Sequence, residues 1–167
     1  MDNFTFVLVN FDSEEHRQVL LHLLDSYASL PIGQGRPLDP QKKAQLWRSL
    51  NERKSWIYAF LGYLGTNPVA AAITMEGFST FQCQPLLNIH DFYVSQAWQG
   101  KGIGKHFLSR ILRHASAAGF AKVTLEVLSE NIIAKNLYRS LGFSPYHNSV
   151  GGDAEFWQCM LADDMHQ

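Results

Sequence analysis

Gly100, Gly102 and Gly104 occupy every second position in AWQGKGIGKHF (97–107), and the segment that follows has helical periodicity. Inside regular structure glycine costs about 0.5–1 kcal/mol against alanine. Three glycines at the mouth of a helix therefore point to a loop that curls tightly, or to a backbone that something approaches closely. A helix N-terminus also offers N–H groups without intrahelical partners and the positive end of the helix dipole. The N–H groups of Gln99, Gly100, Lys101, Gly102, Ile103, Gly104 and Lys105 thus form a candidate phosphate cradle, where Lys101 and Lys105 either add charge contacts or stay solvated. A Walker loop is excluded, because Gly104-Lys105 is followed by His106 and the required upstream glycine is Gln99. A Rossmann fingerprint is also a poor fit. The spacing here is G-x-G-x-G at mid-chain, behind a series of hairpin strands.

The hexapeptide QGKGIG satisfies the pattern Q/R-x-x-G-x-G/A through Gln99, Gly102 and Gly104, behind a strand that ends at Val94. It resembles the acyl-CoA-binding signature of the GNAT superfamily of N-acyltransferases. The flanks agree: NIHDFYVSQAWQGKGIGKHFLSRIL resembles the superfamily's strand, loop and helix. LEVLSENIIAKNLYRSLGF resembles its next strand and helix, through Glu126, Asn131, Ala134, Tyr138, Gly142 and Phe143. The likeness is close over 86–143 and architectural before it.

The resemblance implies an α/β (α+β) fold of GNAT type. Its mixed, mostly antiparallel sheet has about seven strands with helices on both faces. Two neighbouring strands, 86–94 and 122–128, would splay apart and admit the pantetheine arm of acetyl-CoA, the implied co-substrate. Phe92, Tyr93 and Val94 would then meet the cofactor through backbone groups, as a pseudo-strand. Asn131 would hydrogen-bond the arm, and Ala134 would leave room for it. Tyr138, two helical turns from Asn131, would protonate the departing sulfur. A backbone N–H near Val94 would polarise the thioester carbonyl.

The attacking amine must be neutral, which calls for a proton acceptor. His90 stands four residues before Val94, where the resembling arylalkylamine acetyltransferases carry a histidine, and histidine titrates near neutral pH. Glu126 matches the base position of ribosomal-protein N-terminal acetyltransferases and ranks second. Glu76 and Asp91 come behind, and a water chain without a single base stays open. Strict strand alternation places Asn88, His90, Phe92 and Val94 on one face and Asp91 with Tyr93 on the other. Glu76, Asn88 and His90 are the expected acceptor-site residues.

These residues need a scaffold. NFTFVLVNF (3–11) reads as a strand. The helix that follows carries Leu20, Leu23, Leu24 and Tyr27 on one face, with Asp12 and Glu15 resembling a capping box. A Pro/Gly loop (30–38) ends it, and Asp39-Pro40 starts a second helix with a stripe of Ala44, Trp47 and Leu50. Strands 56–65 and 69–81 form a hairpin, followed by strand 86–94, a helix over 104–118, strand 122–128 and a helix over 131–143. Final strands are expected near 145–150 and 154–162.

The 167 residues suit a single acetyltransferase domain, 1–167. Hydrophobic residues make up 46% and charged ones 17%, an ordinary globular balance. A net charge of −1 argues against nucleic acid as a partner. No stretch approaches the roughly 20 apolar residues of a membrane span. Cys83 and Cys159 form no CxxC pair and, with the acidic N-terminal segment, fit a cytoplasmic setting. The histidines show no metal-ligand spacing, so no metal is expected.

By the same resemblance the acceptor pocket is shaped by the first two helices, their loop and the last strands, which here include PIGQGRPLDP, EGFSTFQCQPLL and SPYHNSVGG. They are nearly uncharged, with Phe78, Phe81 and Tyr146 as an apolar wall. This favours a small-molecule amine over a basic protein tail. Alternatives are N-terminal acetylation of proteins or peptides, and a non-catalytic acyl-CoA-binding regulatory module. A homodimer stays open.

Overall fold

A computed structural model describes residues 3–146. The chain divides into two compact units, Met1–Leu125 and Glu126–Gln167. The first unit holds β1 (Phe4–Leu8), α1 (Glu14–Ala28), α2 (Pro40–Glu52), β2 (Ile57–Leu64), β3 (Asn67–Ser79), β4 (Gln84–Val94), a 3-10 turn (Gln96–Trp98), α3 (Ile103–Ala117) and β5 (Val123–Leu125). The second holds α4 (Ile132–Arg139).

The sheet runs in the order β1-β2-β3-β4-β5, antiparallel throughout except for the parallel β4–β5 pair. It is a mixed α+β sheet of five strands among the described residues, against about seven expected. Of the two missing strands, 154–162 and most of 145–150 lie outside the described residues. Strand β5 is also shorter than the expected 122–128.

Helices cover both faces. On one, α1 and α2 press Leu20, Leu23, Leu24 and Leu50 against Ala59, Leu61, Ala71, Ile73 and Tyr93. On the other, α3 carries Phe107 into an aromatic cluster with Phe4, Phe6 and Phe92, and Phe6 stacks on Phe60 at 5.1 Å. Between these layers Val69, Ala70, Ala71 and Ala72 of β3 are wholly buried. Small side chains there let a helix approach each face closely.

Local chemistry sets the helix ends. The α1 cap is Ser13, whose Oγ accepts from His16 N–H at 3.3 Å, in place of the expected Asp12–Glu15 box. Asp39 caps α2 by accepting from Gln41 and Lys42, with Pro40 at the first helical position. On α2, Leu46 and Trp47 pack with Leu50, whereas Ala44 is exposed. The loop between α1 and α2 folds back on the end of α1. A Cβ on Gly33 would lie 2.4 Å from the Tyr27 carbonyl oxygen, so only glycine lets the two backbones come this close. Asp25 fastens the far end of that loop: it accepts from Leu38 N–H at 2.8 Å and pairs with Lys43 at 2.7 Å.

His114 on α3 packs edge-on against Phe60, with ring centroids 5.0 Å apart. Burial disfavours its charged form and lowers its pKa below the ordinary 6.5. In the interval just below 6.5 the unfolded chain therefore binds more protons than the native one, and stability rises with pH. Thermal unfolding followed from about pH 7 to about pH 5 should show a falling melting temperature. His114→Phe, which keeps the aromatic contact and cannot titrate, should reduce that dependence, with His106, whose pKa burial and the nearby Arg110 also lower, supplying the remainder.

Candidate active site

The loop between β4 and α3 is braced before it reaches the helix. Gln99 donates from Nε2 to the Val94 carbonyl at 2.9 Å, and its N–H bonds the Gln96 carbonyl at 3.2 Å. Gln99 therefore ties the loop to the end of β4, and the cradle of free N–H groups begins one residue later than expected. Gly100 and Gly102 take φ of 72° and 78°, a region open to glycine at little cost. Gly102 is the N-cap of α3 and has no side chain to satisfy the orphan donors. The N–H groups of Gly100, Lys101, Gly102, Ile103, Gly104 and Lys105 make no hydrogen bond within the described residues. These donors, joined to a helix dipole, are chemically suited to a pyrophosphate. Lys101 lies over the Trp98 ring, 4.9 Å from its centroid.

Strand β4 supplies the second feature. Its ladder to β5 covers Leu87, Asn88 and Ile89 and then stops, while β4 continues to Val94. The strand end beyond the ladder contains Phe92, Tyr93 and Val94. Their side chains are committed elsewhere: Phe92 stacks on Phe107 at 5.7 Å, Tyr93 on Tyr27 at 5.7 Å, and Val94 is buried. Any role of these residues toward a ligand falls to the backbone.

The third feature is a β-bulge. Ile73 opposes Asp91 and Thr74 opposes Ile89, so His90 is the extra residue with no partner on β3. A bulge interrupts strict alternation. Ile73 and Met75 belong to the α1–α2 face, and their partners Asp91 and Asn88 share it. Tyr93 lies in the same core, while Phe92 turns to α3. The expected division of β4 is thus corrected: Asn88 and His90 share a face with Asp91 and Tyr93, and Phe92 and Val94 take the other. Asn88 donates to Thr124 Oγ1 at 3.1 Å.

His90 and Asp91 line a cleft of about 330 Å³ between α1, the following loop, α2 and the sheet. Its walls are Leu24, Leu38, Leu46, Leu50, Ile73 and Met75, with Tyr27, Gly33 and Gln34 at the α1 side. Burial raises the pKa of Asp91, and neighbouring His90 opposes that rise. The same burial, together with the Asp91 charge, raises Tyr27.

Other sequence-derived residues lie elsewhere. Glu76 faces away from the cleft, and its carboxylate accepts from the Tyr58 hydroxyl at 3.1 Å. Phe78 and Phe81, expected as pocket wall, are exposed around the tip of the β3–β4 hairpin. Glu126 is exposed just past the end of β5. In the second unit Asn131 caps α4, its Oδ1 accepting from Ala134 N–H at 3.1 Å. Tyr138 lies on that helix with its ring 5.8 Å from Phe143. Tyr146 is exposed. Sequence reasoning did not name the leucine wall as a site, though the apolar stripe of α1 and the Gly/Pro loop signalled both edges of it. Among the described residues no His/Cys/Asp/Glu group could hold a metal ion. No helix there is long and apolar enough to cross a membrane.

Residues 20–143 match the model of the acetyltransferase (GNAT) family. The chain belongs to that family. As a GNAT domain it is similar to the mycothiol acetyltransferase of Thermobifida fusca, 37% identical over 67 residues, 40% of this chain and 21% of that protein. It spans about a fifth of the length of the mycothiol acetyltransferases it matches. It is also 35% identical over 65 residues to the [ribosomal protein bS18]-alanine N-acetyltransferase of Haemophilus ducreyi, covering 37% of this chain and 45% of that one. In fold it is similar to an aminoglycoside acetyltransferase from an uncultured soil metagenomic sample, crystallised with sisomicin. That likeness has a TM-score of 0.75 and 17% identity, over 96% of this chain and 98% of the other.

Gly102→Val forces a β-branched residue into the left-handed region at the mouth of α3. Calorimetry should show binding of coenzyme A lost or weakened about 100-fold, the scale of losing two charge-assisted hydrogen bonds. Circular dichroism should show the fold retained.

Proposed function

We propose that the chain is an acetyl-CoA-dependent N-acetyltransferase, an acyltransferase that moves acetyl to the primary amine of a small molecule by direct attack in a ternary complex. One observation carries this reading. A row of unbonded N–H groups, Gly100 to Lys105, opens α3, with Gly100 and Gly102 in the conformation that frees the backbone. The family match over 20–143 spans both compact units and supports one acetyltransferase domain over 1–167. Acetyl-CoA supplies an activated acyl thioester when bound.

The chain's own residues then have separate duties. Gly100 to Lys105 hold phosphate oxygens by main-chain donors. The backbone of Phe92 to Val94 orients the pantetheine arm, which Asn131 also contacts while capping α4. His90 on its bulge takes the amine proton, directly or through water, because it lines the cleft on the same face as Asp91. Glu126 is the alternative base. Tyr138 gives a proton to the leaving thiolate. The cleft is small and has an apolar lining rich in leucine, which supports a small molecule over a protein tail as acceptor.

Release of free thiol from acetyl-CoA across a panel of small amines and peptides tests the reading. Turnover on amines but not peptides is expected; binding without turnover on anything would leave only the acyl-CoA-binding module. In the active enzyme kcat/KM should rise with pH along a limb that disappears in His90→Gln. If the limb persists, the base is another group. Tyr138→Phe should lower kcat by about 10–1000-fold with coenzyme A affinity preserved. An unchanged kcat would reduce Tyr138 to packing.

A further inference from the structure

The cleft on the α1–α2 face has an uneven chemistry. Its walls are hydrocarbon, yet its floor holds a carboxylate. The Asp91 carboxylate makes no hydrogen bond or ion pair within the described residues, unlike that of Asp25 on α1, which holds both Lys43 and Leu38 N–H. A half-buried carboxylate without a partner loses part of its hydration uncompensated. Burial accordingly pushes Asp91 toward its neutral form, with only His90 pulling the other way. A cation entering the cleft would reverse that by completing a charge-assisted pair.

The rest of the lining says what kind of cation. Among the described residues Asp91 is the only carboxylate in the cleft, and no lysine or arginine lines it. A ligand with several ammonium groups would leave all but one without a partner against leucine. A ligand with its own carboxylate would bring like charge to Asp91 and find no counter-charge. A volume of about 330 Å³ stands at the small end of ligand sites.

We propose that the acceptor is a small lipophilic monoamine without a carboxylate, its ammonium held by Asp91 and its hydrocarbon body filling the leucine-lined cleft. This rests on the acetyltransferase reading above for the reaction, but not for the binding. In that reaction the ammonium first gives one proton to His90 or water. The amine nitrogen then forms a bond to the acetyl carbon, the carbon–sulfur bond breaks, and the nitrogen sheds its second proton to replace the one Tyr138 gives the thiolate, leaving an amide and free thiol. Asp91 stays ionised and acts by binding.

The test separates binding from turnover. Calorimetry on the full chain with coenzyme A present should show 2-phenylethylamine binding at least about tenfold tighter than phenylalanine or spermidine. Asp91→Asn should weaken 2-phenylethylamine about 100-fold while changing phenylalanine little. Leu46→Trp, which fills the cleft from its partly exposed wall, should weaken 2-phenylethylamine without involving Asp91. Phenylalanine or spermidine binding as well as 2-phenylethylamine would overturn the proposal, and so would both variants binding it normally. If Asp91→Asn does not fold, the order of the three probes on the unaltered protein and the Leu46→Trp result decide. Failure of thiol release with this binding order intact overturns only the catalytic reading.

Discussion

An antiparallel ladder can absorb one extra residue only by bulging, and β4 does so at His90. Much of the candidate site depends on that insertion. Without it, the residues either side of position 90 would alternate, and Asp91 and His90 would point to opposite faces. With it, both line one cleft, while Phe92 still turns to meet Phe107 on the opposite side. The strand can thus keep two hydrophobic layers filled and still place two polar groups side by side. The local disruption of pairing is offset by the ladder on either side, from Ala70–Val94 to Ser79–Gln84.

The same strand links the cleft to the row of free N–H groups at the start of α3. Past the end of its ladder with β5, β4 runs through Phe92 and Tyr93, whose rings are clamped by Phe107 and Tyr27. It ends at Val94, whose carbonyl receives the Gln99 side chain. Gln99 so fixes where the chain leaves the strand, and the two left-handed glycines then deliver free N–H groups at the start of α3. The positions of His90, the strand end and the N–H groups that open α3 are therefore not independent. They are set by one strand whose end, with Phe92 on Phe107 and Tyr93 on Tyr27, is packed on both faces and cannot shift without repacking.

The cleft depends on a different balance. Gly33 lets the loop after α1 touch the helix end, and Asp25 with Lys43 and Leu38 pins its far side. Burial would raise the Asp25 pKa, but the hydrogen bonds from Lys43 and the Leu38 amide outweigh it and leave it lowered. Asp91, next to His90 on the bulge and without such partners, shifts the opposite way. Two aspartates close to one wall thus do different work: one closes a loop, the other waits for a counter-ion.

Local rules made much of this legible in the sequence. Gly102 and Gly104 ahead of an apolar stripe marked a tight loop and the start of α3, because glycine spacing and helical period are properties of a short segment. Asp39-Pro40 marked α2 and Asn131 marked α4 for the same reason. The order of strands followed from alternation and turn residues. Tertiary structure decided what depends on partners distant in the chain. The bulge exists because β3 pairs Ile73 with Asp91 and Thr74 with Ile89, a register that strand β4 alone does not encode. That register moved Asn88 and His90 to the face of Asp91 and left Glu76 with Tyr58 on the other. It also left Phe78 and Phe81 exposed around a hairpin tip, while leucines from two helices, far apart in sequence, became the wall of the cleft. Hydrophobic residues are interchangeable at the level of pattern, and only packing chooses which of them enclose a site.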